Sequence, residues 1–97
     1  MKVRYTLRAL GDLEAIYTYI DARNPNAARA VKRAMQVTAE RLAEFPYMGV
    51  ETDRSPEFRG IRVGRYPYRL YYRIRGEEVW IVHIRDMRRR PWTREGN

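Results

Sequence analysis

Residues 66–75 read Tyr-Pro-Tyr-Arg-Leu-Tyr-Tyr-Arg-Ile-Arg, and this stretch decides the fold class. Apolar or aromatic residues alternate with mostly basic ones, a period of two that predicts a β-strand with one buried face. Gly76 and Glu77 then form a tight turn, and residues 79–85 return as a largely apolar strand. The sequence therefore predicts a β-hairpin with a basic outward face. That face would carry Arg69, Tyr71, Arg73 and Arg75.

Two helices are predicted before this hairpin. Apolar residues recur at helical spacing over residues 10–22 and again over 27–45, and Asn24-Pro25-Asn26 separates the two runs. Asp12 is expected in the first turn of the first helix, where a carboxylate favours the helix dipole. Either asparagine can cap the second helix, and Pro46 ends it. The apolar face of the second helix would comprise Ala28, Val31, Met35, Thr38, Leu42 and Phe45.

The remaining segments complete a β-α-α-β-β-β order. Residues 3–7 predict an opening strand with Val3, Tyr5 and Leu7 on one face, residues 47–58 a loop, and Ile61 and Val63 a short strand. Residues 86–97 form a basic, irregular tail. We expect one α+β domain over residues 1–97, with the first strand and a helical hairpin packed on one face of a small antiparallel sheet.

Composition excludes several classes of protein. There is no cysteine, so disulfide scaffolds, thiol nucleophiles and cysteine metal sites are excluded. A single histidine leaves no partner for a metal site, and no cofactor motif is present. No apolar run approaches the roughly 20 residues of a membrane span, and the N-terminus lacks the apolar core of a signal peptide. These observations predict a cytoplasmic protein without metal or cofactor.

Charge is distributed unevenly along the chain. Residues 1–58 contain nine basic and eight acidic residues, whereas residues 59–97 contain eleven and four, so nearly all of the net charge of +8 lies in the second part. Such asymmetry indicates a polyanionic partner, either nucleic acid, a nucleic-acid enzyme or an acidic protein. The alternative is a surface that is merely soluble.

Four sets of residues are candidates for function, and each has a structural alternative. The outward arginines with Tyr71 can contact phosphates and bases, or only solvate a sheet. The tail from Arg85 through Arg88, Arg89, Arg90 and Trp92 can bind polyanions, or be a solvated terminus. His83 suits acid–base chemistry, although an apolar strand favours a structural role. Among the loop carboxylates Glu51, Asp53 and Glu57, one could act as a general base, or all could be solubilising.

At this point the pattern resembles the ParE/RelE toxin superfamily over nearly the whole chain. The similarity rests on the following residues: Asp12-Leu13-Glu14-Ala15-Ile16 continuing to Tyr19-Ile20, Pro46 with Gly49, Arg62-Val63, Tyr68-Arg69-Leu70-Tyr71-Tyr72-Arg73-Ile74, and residues 79–84 followed by Arg88-Arg89-Arg90-Pro91-Trp92. Each motif is short, and it is their order and spacing together that are specific. The resemblance implies a toxin held inactive by an acidic ParD/RelB-like antitoxin in a hetero-oligomer.

An antitoxin helix would dock in a groove of the helical hairpin. The residues expected to contact it are Leu13, Ile16, Tyr17, Ile20, Val31 and Met35. The residues expected to contact the toxin's target are Arg69, Tyr71, Arg73, Arg85, Arg88, Arg89, Arg90 and Trp92.

The resemblance leaves two targets open. ParE-like members inhibit DNA gyrase by protein contact and need no catalytic residues, whereas RelE-like members cleave mRNA on the ribosome. A nuclease would use Arg62 and Arg69 on phosphate, with His83 or Glu57 carrying the proton. Asp86 stands where many relatives have histidine, and no tyrosine follows the tail arginines, so the sequence favours gyrase. A toxin remnant that serves only as a binding module is a third hypothesis.

Overall fold

The computed structural model describes residues 1–52 and 57–88. Its elements in chain order are β1 (Lys2–Tyr5), α1 (Leu7–Asp21), α2 (Pro25–Glu44), β2 (Val50–Glu51), β3 (Arg59–Arg62), β4 (Tyr68–Arg75) and β5 (Glu78–Asp86). The predicted α+β class is confirmed, with one addition. The short β2 lies inside the segment expected to be a loop, and it pairs with β3 through Val50 and Glu51.

The five strands form one mixed sheet in the order β1-β5-β4-β3-β2. The consecutive strands β2 to β5 pair antiparallel, as expected, but β1 pairs parallel to β5. The first strand, expected to pack with the helices on one face of an antiparallel sheet, instead joins the edge of the sheet and makes it mixed. A parallel neighbour requires a long crossover, and here the chain between β1 and β5 includes both helices and the other three strands.

The β4–β5 hairpin is the centre of the sheet. Gly76, with φ of 61°, occupies the turn, and this backbone conformation favours glycine. The pairing register shifts once, because Tyr71 lies opposite His83 whereas Tyr72 lies opposite Ile81, which leaves Val82 as an extra residue. This irregularity keeps Ile81 and Ile84 on the core face with Leu70 and Tyr72.

Helix α1 begins three residues earlier than expected, because Thr6 caps it. The Thr6 Oγ1 accepts a hydrogen bond from the backbone N–H of Ala9 at 3.1 Å. Leu7 is consequently helical and 88% exposed, so its prediction as an inward strand residue was wrong. Asp12 therefore lies in the second turn of the helix and not in the first. Its carboxylate contacts β5 instead of the helix N-terminus.

Helix α2 is capped by Asn24, whose Oδ1 accepts from Ala27 N–H at 3.1 Å, with Pro25 as its first residue. Its buried residues match five of the six predicted for the apolar face: Ala28, Val31, Met35, Thr38 and Leu42. The sixth, Phe45, lies at the C-cap and is 56% exposed, because the helix ends before it can face the sheet.

Both helices pack on the same face of the sheet. Ala9 of α1 and Val31, Met35 and Leu42 of α2 share one core cluster with residues of β4 and β5. The Tyr72 hydroxyl, inside this cluster, donates to Pro46 O at 2.8 Å and accepts from Gly49 N–H at 2.9 Å, which fastens the chain after α2 to the sheet. Neither described helix combines the length and apolar character required to cross a membrane.

Candidate target-binding face

The sheet face opposite the helices carries the sequence-predicted basic residues. Successive side chains of a strand point to opposite sides, and Leu70 and Tyr72 belong to the core cluster, so Arg69, Tyr71 and Arg73 point away from the helices. We call this side the outer face. Its residues include Arg62 of β3, Arg69, Tyr71 and Arg73 of β4, and Trp80, His83 and Arg85 of β5.

Three arginines lie side by side across the outer face. Arg62 pairs with Arg69 between β3 and β4, and Arg69 pairs with Arg85 between β4 and β5. We call them the arginine row. Like charges directly opposite each other in a sheet destabilise it, and within residues 1–52 and 57–88 none of the three forms an ion pair with a carboxylate. The row concentrates positive charge on one side of the molecule.

Each guanidinium of the row is held in place by local contacts. The Arg62 Nε and Nη2 donate to the carbonyls of Tyr66 and Arg65 at 2.9 and 3.1 Å. The Arg69 guanidinium lies 5.8 Å from the Tyr71 ring centroid. The Arg85 Nη1 donates to the Tyr71 hydroxyl at 3.1 Å. The arginines are therefore ordered before any partner arrives.

Gly60 leaves the space that Arg69 occupies. A β-carbon at this position would lie 2.5 Å from the Arg69 Nε and 2.9 Å from its Nη2. Gly60 pairs with Tyr71, so the glycine sits beside the middle of the arginine row. A larger residue there would displace the guanidinium.

His83 is linked to helix α1 around the edge of the sheet, beyond the end of β1. It is 8% exposed, its ring stacks on Tyr71 with centroids 5.9 Å apart, and its Nδ1 lies 2.7 Å from the Asp12 Oδ2. The same Asp12 oxygen accepts the backbone N–H of Ile84 at 3.0 Å. Burial lowers the pKa of His83, and the Asp12 carboxylate opposes that shift without reversing it. His83 thus links α1 to β5 through Asp12. This contact is structural, as expected for a histidine on an apolar strand.

Two further predicted target residues are paired with carboxylates. Arg73 forms an ion pair with Glu57, and its guanidinium lies 5.7 Å from the Phe58 ring centroid. Arg88 donates from Nε and Nη2 to the two oxygens of Asp86, at 2.9 and 2.8 Å, which raises the pKa of Arg88. Arg89, Arg90 and Trp92 lie outside the described residues, as does Asp53 of the loop.

The residues proposed for a nuclease are only partly brought together. Arg62 and Arg69 are neighbours, and His83 lies opposite Tyr71, two residues further along the strand. Glu57, however, pairs with Arg73, four residues along β4 from Arg69, which is about 13 Å in a strand. The Nδ1 of His83 is engaged by Asp12. Of the two proposed proton carriers, Glu57 is therefore separated from the phosphate-binding arginines, whereas His83 lies near them.

The residues expected to contact an antitoxin lie between the helices and the sheet. Val31 and Met35 are each 3% exposed and belong to the core, so they present no surface to a partner in this fold. The physical reason is that the inner side of the helical hairpin is covered by the sheet itself. Four residues of the set, all on α1, are only partly buried: Leu13, Ile16, Tyr17 and Ile20.

Sequence reasoning missed three features of the surface. It gave no role to Trp80, which lies on the outer face opposite Arg73. It placed Asp12 at the helix dipole instead of at His83, a partner 71 residues away. It also assigned Phe45 to the core, whereas Phe45 and Tyr47 line an apolar depression of about 500 Å³ after α2. The described residues contain no group of three or more histidines and carboxylates able to hold a metal.

Comparisons with known proteins match this chain to a toxin family and to proteins named as toxins. The sequence model of the ParE toxin of type II toxin–antitoxin systems matches residues 3–91. The chain is 36% identical over 89 residues to "Toxin RelE2" of Caulobacter vibrioides, covering 91% of this chain and 97% of that protein. It is also 36% identical over 73 residues to "Putative toxin Y4kP" of Sinorhizobium fredii, covering 75% of each.

A solved structure shows the same fold. A chain of the chromosomal ParDE toxin–antitoxin system from P. aeruginosa superposes with a TM-score of 0.76 and 24% identity, covering 89% of this chain and 95% of that one.

Proposed function

Because the chain belongs to the ParE toxin family of type II toxin–antitoxin systems, we propose that it inhibits DNA gyrase by direct binding in the cytoplasm. The observation that carries the proposal is the match of the ParE model to residues 3–91, nearly the whole chain. Inhibition through contact requires a charged, ordered surface and no catalytic group. The arginine row supplies such a surface, and gyrase in complex with DNA is a negatively charged partner.

A ParD-like antitoxin is the second proposed partner. The ParE family is defined by toxin–antitoxin pairs, and the positive second part of this chain suits an acidic wrapping segment. Contact with the helices would use partly exposed residues of α1, such as Leu13 and Tyr17, and not the buried Val31 or Met35. Binding of the antitoxin to the folded toxin would also stabilise it.

A supercoiling assay tests the proposal directly. Purified toxin added to gyrase and relaxed plasmid should block supercoiling or accumulate cleaved DNA. Replacing Arg88, Arg89 and Arg90 together by alanine should weaken inhibition at least tenfold, since arginine is enriched among the residues that dominate interfaces and a combined loss of about 1.4 kcal/mol is tenfold. The same plasmid with toxin but without gyrase should remain unchanged.

A charge-matched variant distinguishes a target contact from loss of net charge. Replacing Arg29, Lys32 and Arg33 on the exposed side of α2 by alanine removes the same three charges away from the outer face. This variant should inhibit as the unmodified toxin does, and both variants should keep the circular dichroism spectrum of the folded protein. Gyrase that supercoils normally at saturating folded toxin would refute the proposal.

Ribosome-dependent cleavage of mRNA is the second candidate function. Two observations favour it: Arg62 and Arg69 are adjacent on the outer face, and one relative is named RelE2. In a cell-free translation reaction this function would yield mRNA cut at codon positions, and Arg69→Gln would abolish the cuts. Transcripts that stay intact while translation proceeds would remove it.

A further inference from the structure

The arginine row brings three cations together, and none of them has an ion pair within residues 1–52 and 57–88. Neighbouring strands lie about 4.8 Å apart, so the row extends about 10 Å across β3, β4 and β5. Four arginines elsewhere in the described chain do have carboxylate partners, among them Arg4 with Glu78 and Arg88 with Asp86. The absence of any such carboxylate beside the row, within the described residues, leaves its charge available to an external anion.

An unsatisfied donor lies within the row. The Arg85 Nε is buried and has no hydrogen-bond acceptor in the described part of the chain, although the Nη1 of the same guanidinium donates to Tyr71. Buried polar groups in folded proteins nearly always have a partner. The Arg85 side chain therefore lacks one of its expected hydrogen bonds within the described residues.

An indole lies further along the same face. Trp80 is opposite Arg73, four residues along β4 from the row, and it is partly exposed in a depression of about 440 Å³. Thr6, Arg73, Arg75, Glu78 and Val82 line the rest of that depression. Glu78, its one carboxylate, is taken by Arg4 and by the Trp80 indole N–H. The ring lies about 13 Å from the arginine row, and the Arg4 guanidinium lies over it at 6.0 Å from its centroid. A base that stacks on this side of the ring would take the place of Arg4.

We propose that the outer face binds a single strand of nucleic acid, with phosphates along the arginine row and a base stacked on Trp80. Successive phosphates meet ordered guanidinium groups, and base–aromatic stacking is available only where bases are unpaired. The carboxylates of an acidic peptide could also pair with the arginines, but they do not stack on an indole ring as a nucleic-acid base does. The indole therefore favours nucleic acid over an acidic segment of protein.

This inference rests on the proposed function only for the source of the strand. Gyrase opens and holds DNA, so a toxin with this face would contact enzyme and DNA together and bind the pair more tightly than the enzyme alone. Binding to a free oligonucleotide is measured without gyrase. The two claims can therefore fail independently, one in the oligonucleotide experiment and the other in the supercoiling assay.

Fluorescence anisotropy with labelled oligonucleotides of about 12 nucleotides tests the binding. The full-length toxin should bind single-stranded DNA more tightly than the same sequence as a duplex, and a matched RNA arm identifies which sugar is preferred. Three phosphate contacts predict a slope of about −2 for log K against log salt, a loss of about twentyfold between about 50 and 200 mM salt.

Variants separate the two parts of the site. Arg62→Gln with Arg69→Gln should reduce the salt slope to less than half, whereas Arg29→Gln with Arg33→Gln on α2, which removes the same charge, should leave it unchanged. Trp80→Leu should weaken single-strand binding about five- to a hundredfold. It should also reduce the ratio of the affinity for single-stranded DNA to the affinity for duplex DNA. Thermal unfolding of each variant identifies any that fails to fold, and Trp80→Phe should restore most of the affinity.

Two results would overturn the inference. The first is an equal affinity for single-stranded and duplex DNA together with an unchanged affinity in Trp80→Leu. This result would mean that binding depends only on the net charge of the protein. The second is displacement of the oligonucleotide by poly-glutamate at a matched concentration of charges, which would mean that an acidic protein segment fits this face as well as nucleic acid. The inference would be supported if an oligonucleotide binds the toxin without gyrase with the stated salt slope, and if this slope is lost in the Arg62→Gln, Arg69→Gln variant.

Discussion

Asp12 shows how one carboxylate can join two distant parts of the chain. The strand β1 ends at Tyr5, beside Ile81, and beyond this point β5 has no strand partner on that side among the described residues. Thr6 N–H donates to Ile81 O, Thr6 Oγ1 to Val82 O, and Asp12 then accepts from Ile84 N–H. Side chains of the helix and its cap thus replace the missing strand, which protects an exposed sheet edge from pairing with another chain.

Removing this carboxylate should destabilise the fold. Asp12→Ala leaves the Ile84 N–H and the His83 ring without their acceptor, so we expect the free energy of unfolding to fall by about 1–3 kcal/mol in urea denaturation. Asp21→Ala removes a carboxylate from the exposed end of the same helix and should change it by less than about 0.5 kcal/mol. Equal losses in the two variants would contradict the structural role of Asp12.

His83 predicts the direction in which stability depends on pH. Asp12, Tyr71, Arg8 and Arg85 surround its ring. Burial places the pKa of His83 in the folded protein below the unfolded value of about 6.5, so the unfolded chain takes up the proton first. Its contribution to stability is full above about pH 6.5 and is lost as the pH falls through the lowered folded pKa.

The measurement compares urea unfolding of the unmodified protein with that of His83→Gln across this range. We expect the difference in stability between them to shrink as the pH falls below about 6.5 and to be constant above it. The variant removes the titrating group while keeping a side chain that can donate to Asp12. A difference that grows on acidification would show that the sign is wrong.

At the scale of elements, two glycines lie in close contacts of different kinds. Gly49 is needed for packing against the core residue Tyr72, whereas Gly60 makes room for Arg69 on the outer face. Gly49 follows α2, and a β-carbon there would lie 2.6 Å from the Tyr72 hydroxyl and 3.0 Å from Gly60 O. Tyr72 is fully buried and cannot move aside. The three atoms nearest to a β-carbon at Gly60 all belong to the Arg69 guanidinium, which lies at the end of a flexible side chain.

Gly49→Ala should therefore destabilise the protein by about 1–3 kcal/mol, because it overpacks the contact between the loop and β4. Gly60→Ala should cost less than about 1 kcal/mol, since Arg69 can turn away. Thermal unfolding of the two single variants, in the same buffer, checks the order. The opposite order would mean that the arginine row, and not Tyr72, limits packing at this end of the sheet.

At the scale of the whole molecule, the net charge of +8 should govern encounter with an acidic antitoxin. We expect the association rate to fall at least tenfold from low to high salt, while the dissociation rate changes little. Stopped-flow mixing of toxin and antitoxin at several ionic strengths measures both rates. Arg69→Gln with Arg85→Gln should flatten the dependence, and an association rate indifferent to salt would exclude electrostatic steering.

Much of the fold could be predicted because its signals are local. The alternation over residues 66–75 depends only on the spacing of side chains along one strand, and the helical runs depend on the spacing along one helix. The Asn24 cap, the turn at Gly76 and the end of α2 before Pro46 are also encoded by neighbouring residues. The start of α1 was missed because Thr6 and Leu7 are compatible with either a strand or a helix until the cap forms.

The α+β class, the two helices, the β-hairpin and the accumulation of positive charge in the second part could all be predicted from the amino-acid sequence. These depend on contacts between near neighbours or on composition alone. Only the tertiary structure decided that β1 lies parallel to β5, that Asp12 meets His83, and that three arginines from three strands form one row. Such contacts join residues far apart in the chain, and their register is fixed by how the whole sheet packs against both helices, which no local pattern records.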